Sequence, residues 1–248
     1  MTQVTDYIYR NNAIIETIFA SRRSILRLFL SQQISNNRHE NLLEAAIKHS
    51  IKIETVSRAQ IQSMIGNSLH QDAVLEVGPY PYVKIEDILS FAKTHEEEPL
   101  ILILDQLQSP SNFGRLLRSA EAMGVHGVII QKRNAGEVST AVVASSMGAS
   151  EHIFITKVTN LSRTIVELKK QNIWILGLEG NKNQITLDNT NLKRGLAIVI
   201  GNENNGIRRL IRKHCDMLAQ IPMLGKMDSL NAAVAGSIAI YVARQSRK

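Results

Sequence analysis

The chain is predicted to fold as an α/β protein in two parts, a small N-terminal α/β module and a larger domain built on a parallel sheet with helices on both faces. Three observations predict this. From Leu100 onward, short apolar runs alternate with helix-length amphipathic stretches, which is the pattern of repeated βα units. The runs 100–104 and 196–200 are apolar at every position, as strands buried on both faces are. The segment Gly78-Pro79-Tyr80-Pro81-Tyr82 interrupts the alternation and marks where the chain divides.

Before that break an apolar-periodic stretch at 13–19, a strand-like run at 25–30, a helix-like segment at 41–49, a β-rich run at 51–56, a short helix at 59–65 and a strand at 73–77 follow in order. Residues 79–98, closing in Glu96-Glu97-Glu98-Pro99, read as a linker. The expected division is therefore 1–78, 79–98 and 99–248. In the last part, strands near 100–105, 125–131, 153–158, 173–179, 196–201 and 217–222 alternate with helices near 112–123, 138–148, 161–171, 206–215 and 229–245. Ser229 has the chemistry of an N-cap for the last of these. A dinucleotide-binding domain has the same alternation but places Gly-x-Gly-x-x-Gly after its first strand. The turn after Leu104 has no glycine before Gly114, which removes that class.

At 248 residues and 44% apolar content the chain can bury one large core or two moderate ones. Its single cysteine, Cys215, excludes an internal disulfide, and no His/Cys group has zinc-ligand spacing, so a reducing cytoplasm and no structural metal are expected. Apolar stretches are too short for a membrane span. The net charge of +7 resides mainly after residue 78, densest at Arg208, Arg209, Arg212 and Lys213. Such a cluster admits a polyanion partner without requiring one.

The chemistry-bearing segments are loops that follow strands. After the run 196–200, Gly201-Asn202-Glu203-Asn204-Asn205-Gly206 turns sharply between two glycines, where a ligand can meet bare backbone. Ile221-Pro222-Met223 ends the next strand and leads to Ser229-Leu230-Asn231. After the run 100–104, Asn112 and Arg118 lie six residues apart in a segment opened by Ser109-Pro110.

Together these three segments resemble the SpoU/TrmH family of RNA ribose 2'-O-methyltransferases, part of the SPOUT superfamily, which pairs such an Asn with such an Arg, follows with Gly-x-Glu-x-x-Gly and ends in Ile-Pro-Met leading to Ser-Leu-Asn. Segments 124–129, 158–161 and 172–177 are similar to the RlmB-type branch, which methylates a guanosine of 23S ribosomal RNA. The resemblance covers nearly the whole chain. It implies a trefoil-knotted methyltransferase domain and, ahead of it, an RNA substrate-binding domain. It also implies S-adenosylmethionine as methyl donor, no metal, and a homodimer whose active site draws on both chains. On the family's pattern Gly201, Ile221, Met223 and Leu230 line the donor pocket. Arg118 would clamp an RNA phosphate and orient the ribose, since a guanidinium is a poor proton acceptor at neutral pH. Asn112 would hold the loop or bond the ribose. Glu203 would pair with an arginine or sense the sulfonium, and Ser229 and Asn231 would contact donor or RNA. A transfer-RNA methyltransferase of the same family and a non-catalytic RNA-binding protein are the alternatives. The chain departs from the pattern at Asn204, Arg10 and Asp72, where glycine is usual, and at Ala232-Ala233, where Val-Ser is common. Ile8–Glu16 and His70-Gln71-Asp72-Ala73 are similar to the family's anchor points for RNA.

Overall fold

A computed structural model describes residues 5–32, 36–66, 70–180 and 185–247. The chain forms two compact units. The first comprises residues through Pro81 together with Val138–His152, the second Tyr82–Glu137 and the chain from Ile153.

In the first unit, β1 (Asp6–Tyr9), β2 (Ile25–Ser31), β3 (Ile53–Val56) and β4 (Ala73–Val77) form a mixed sheet in the order β1-β4-β2-β3. Helices α1 (Asn11–Ala20), α2 (Asn36–Lys48) and α3 (Arg58–Ile65) connect them. A Ser57–Gln60 capping box starts α3. The helix expected at 138–148 is shortened to α6 (Thr140–Ser145), and it belongs to this unit rather than to the larger sheet. Ala144 packs with Tyr9, Phe29, Ile61 and Val74. Nearby, buried Glu151 accepts two hydrogen bonds from Arg23, at 2.9 and 2.8 Å. An apolar run such as Val142–Ala144 announces burial, not the surface it is buried against. Arg10 and Asp72, at usual glycine positions, have φ of 74° and 63°, so their side chains sit on backbone that glycine adopts at lower cost.

The second unit holds α4 (Ile85–Thr94), β5 (Leu100–Leu104), α5 (Pro110–Ala122), β6 (Gly127–Gln131), β7 (Phe154–Val158), α7 (Leu161–Lys170), β8 (Trp174–Leu178), β9 (Ile185–Thr186), β10 (Leu196–Ile200), α8 (Arg209–His214), β11 (Met217–Gln220) and α9 (Ala232–Gln245). Its seven strands run β7-β6-β5-β10-β8-β11-β9, every described pairing parallel. The expected parallel sheet is thus present, and all strands end at one edge. The segment 79–98 is not bare linker, because α4 lies within it with Ile88 and Ala92 buried.

Helix α5 begins as sequence chemistry dictates: Ser109 caps the backbone N–H of Asn112, and Pro110 occupies the first turn. It packs against α9, whose buried face is made of small residues, Ala233, Gly236, Ala239 and Ala243, with Ile240. A Cβ on Gly236 would come within 2.7 Å of Leu116, so glycine permits the close approach. Leu230, Val234, Ile238 and Val242, apolar residues spaced by four along the sequence, are consequently not the core face: Val234 is 48% exposed. The helix starts later than expected, and its N-cap is Asn231, not Ser229.

Candidate active site

At the shared strand edge, a cleft enclosing about 180 Å³ is lined by the ends of β8 and β10, the loop 201–206, the segment after β11 and the start of α9. This is where open parallel sheets bind ligands, outside the carboxyl ends of the strands. Gly201, Ile221, Met223, Leu230, Glu203, Ser229 and Asn231 all line it. Asn112 joins them through hydrogen bonds described below. Arg118 is not among the lining residues.

The loop 201–206 is a tight hairpin. Asn202 and Gly206 exchange backbone hydrogen bonds at 3.1 and 2.9 Å, and the Asn202 amide donates to the Gln106 carbonyl at 2.8 Å. A Cβ on Gly201 would fall 2.2 Å from the Gly206 carbonyl carbon, so no other residue fits there without moving backbone. Gly206 has φ of 64°, whereas Asn204 stays outside the left-handed region and needs none of glycine's freedom.

Side chains from the three motifs meet in one directed chain. The Asn231 oxygen accepts from the N–H groups of Ala233 and Val234, as an N-cap does, which turns its amide nitrogen outward. That nitrogen donates to the Asn112 oxygen at 3.0 Å, and the Asn112 nitrogen donates to Glu203 at 2.8 Å. Each amide's orientation follows from the helix cap, so the donor and acceptor roles along the chain are fixed. Among the described residues Glu203 therefore pairs with an amide, not with an arginine.

A second tie holds the loop's far end. Asp105, wholly buried after β5, accepts from the Arg208 backbone N–H at 2.9 Å and from its guanidinium at 2.7 Å, and Arg208 also donates to Gln131 at 2.7 Å. Arg212 donates to both oxygens of Glu179, one of the cleft residues. Leu178, Glu179, Gly180 and Asp228 line the cleft as well and were not singled out from sequence. Only the knowledge that β8 lies beside β10 would have exposed the first three.

Burial raises the Cys215 thiol to about 12, leaving it inert. Among the described residues no His/Cys/Asp/Glu group is arranged to hold a metal, and no helix is long and apolar enough to cross a membrane. The cleft instead combines bare glycine backbone, apolar walls from Ile200, Ile221, Met223 and Leu230, and carboxylates at Glu179, Glu203 and Asp228. That donor set suits a flat heterocycle joined to a cationic group.

The motif loops that converge on this cleft are the ones that resemble the SpoU/TrmH class of RNA methyltransferases, and the comparisons with known proteins place the chain in that class. The chain belongs to the SpoU rRNA methylase family, whose model matches residues 99–241, and a model for RNA 2'-O ribose methyltransferase substrate binding matches 7–83. It is 37% identical over 247 residues to YacO of Bacillus subtilis strain 168, assigned to the TrmH family of tRNA/rRNA methyltransferases, covering 100% of this chain and 98% of the relative. A Staphylococcus aureus (strain MSSA476) relative of the same assignment is 36% identical over 94% of this chain and 93% of its own. Among solved structures, the SpoU methyltransferase AviRb from Streptomyces viridochromogenes, in complex with AdoMet, superposes with a TM-score of 0.80 at 22% identity, over 98% of this chain and 90% of that one. The TrmH/SpoU tRNA modifying enzyme of A. aeolicus matches 65% of this chain and 83% of its own, with a TM-score of 0.56 at 24% identity.

Proposed function

We propose that the chain transfers a methyl group from S-adenosylmethionine to a ribose 2'-hydroxyl of RNA, the acceptor being a guanosine of 23S ribosomal RNA. The observation that carries this reading is the directed chain Asn231–Asn112–Glu203 beside a glycine-hairpin cleft. S-adenosylmethionine fits that cleft: apolar walls and bare backbone suit the adenosine, and carboxylates suit the sulfonium and ammonium. The donor supplies an activated methyl group, which leaves binding and alignment to the protein.

In this reading Gly201, Ile221, Met223 and Leu230 hold the donor. Asn231 and Asn112 fix the Glu203 carboxylate at the cleft rim, and Ser229 offers its hydroxyl to donor or RNA. Arg118 grips an RNA phosphate with its planar fork and orients the ribose, the proton leaving to phosphate or water. Because Arg118 does not line the cleft, it acts across a homodimer. The exposed Val234 and Tyr241 on α9, with Leu230 just before it, support such pairing. The same reading assigns residues 1–78 to RNA binding, 79–98 to the connection and 99–248 to methyl transfer. It also gives the C-terminal segment a trefoil-knotted path and places the enzyme in the cytoplasm.

Calorimetry tests the donor: S-adenosylhomocysteine should bind and NAD should not. Mapping 2'-O-methyl sites in ribosomal and transfer RNA, with and without the gene, tests the acceptor. Binding of NAD alone would overturn the first claim. A lost methyl group in transfer RNA with 23S RNA unchanged would overturn the second.

A further inference from the structure

The cations of the second unit divide by what holds them. Arg208 is taken by Asp105 and Gln131, and Arg212 by Glu179. Arg209 and Lys213, on the same helix, are exposed, and their side chains have no hydrogen-bond or ion-pair partner among the described residues. Lys132 and Arg133, in the turn leaving β6, are in the same state. The turn and the start of α8 are neighbours, because Gln131 at the end of β6 receives the Arg208 guanidinium just before α8. Nearby acids do not offset them: Asp105 and Glu179 are already matched by arginines, and Glu137 is paired with Lys157.

We propose that Lys132, Arg133, Arg209 and Lys213 form a phosphate-binding track that starts at the carboxyl end of β6 and runs along α8, on which the RNA backbone lies as its target nucleotide enters the cleft. This rests on the functional reading above and adds where the substrate strand runs. Three features favour a polyanion over solvent. Arg209 follows the loop that walls the cleft by three residues. Neighbouring arginines are pinned, which holds α8 and the end of β6 in register and presents the free cations on rigid supports. Leu210, 59% exposed among them, offers an apolar surface for a sugar or base.

Affinity of the full-length protein for a labelled RNA hairpin should be measured against salt, with S-adenosylhomocysteine bound. Each lost phosphate contact flattens the log–log salt slope by about 0.7 to 0.9, so replacing all four residues with alanine should flatten it by roughly 3. At low salt the affinity should fall at least about tenfold, while S-adenosylhomocysteine affinity and melting temperature stay at wild-type values. A control, Lys93→Ala with Lys193→Ala, removes charge at the opposite strand edge and should leave the slope unchanged. Wild-type slope in the four-residue variant, or equal flattening in the control, would overturn the track alone. If the single variants Arg133→Ala and Arg209→Ala each flatten the slope by about one contact, the track stands even should the four-residue variant fail to fold. Wild-type protein that binds S-adenosylhomocysteine but no RNA at any salt would overturn the functional reading and the track with it.

Discussion

Helix α5 carries two motif residues into contrasting surroundings. Asn112, in its first turn, is 9% exposed, and both ends of its amide are engaged, by Glu203 and Asn231. Arg118, further along, is exposed, with no side-chain partner among the described residues. Helical geometry explains the difference: six residues at 3.6 per turn place the two side chains about 120° apart, so one chain cannot aim both into one cleft. The amide network closes within the chain, whereas the guanidinium has a planar fork with nothing to grip. That asymmetry is what an active site completed by RNA or by a second subunit requires.

The sharpest way to break this contrast is Arg118→Ala. If the guanidinium supplies electrostatic alignment, methyl transfer should fall by about 10² to 10³, while S-adenosylhomocysteine binding and thermal stability stay at wild-type values. Arg118→Lys keeps the charge but loses the fork, so a bidentate clamp leaves most of the defect in place. Mixing Arg118→Ala protein with a variant disabled at the cleft should restore activity in heterodimers if the arginine works across the interface. Wild-type single-turnover rates in Arg118→Ala would end its assignment.

The closed side of the comparison predicts a smaller, coupled effect. Removing Asn112 strips partners from Glu203 and Asn231 together, so the Asn112→Ala and Glu203→Ala changes should not add. A double-mutant cycle on chemical denaturation in the presence of S-adenosylhomocysteine should give a coupling of about 1 kcal/mol. Additive losses would mean that the 2.8 Å contact does not hold the rim in solution.

Much of this architecture was legible because burial writes itself into strands. β5 and β10 are apolar at all positions and lie side by side in the sheet. The motif glycines were legible too, since a hairpin that leaves 2.2 Å for a Cβ admits nothing larger. Hidden were features that depend on what an element meets. The run Val142–Ala144 signalled burial but not the smaller sheet. Helix α4 was lost inside a segment bounded by prolines, although Ile88 and Ala92 carry helical spacing. Ser229 and Asn231 are both capping residues by chemistry, and only the bond from Ala233 N–H to the Asn231 oxygen decides between them. Glu179 carried no motif at all, and its place in the cleft comes from strand order.

The smallest effect concerns the opposite strand edge, where charged groups serve stability rather than substrate. His126 is buried beside β5: its Nδ1 accepts from the Leu100 N–H at 2.9 Å, and its Nε2 lies 3.5 Å from Glu97. Glu97 is itself held by Arg244, Arg247 lies near enough to oppose a second positive charge, and the Phe91 ring covers an edge. Burial pushes the imidazole below its ordinary 6.5, with Glu97 opposing the shift and the two arginines reinforcing it. The unfolded chain therefore binds the proton more readily than the folded one, so this contribution is present above 6.5 and is lost as pH falls below it. Glu97, lowered mainly by its hydrogen bond from Arg244, adds a further loss as pH falls below 4.5. Denaturant midpoints should thus decline between about pH 7 and pH 5, in the range where histidines titrate. His126→Asn, which can still accept from Leu100 N–H, should flatten that decline while leaving RNA affinity and methyl transfer at neutral pH untouched. If the variant loses stability with acid as steeply as wild type does, His126 is not the group responsible, and the division between a stabilising edge and a substrate-binding edge loses this support.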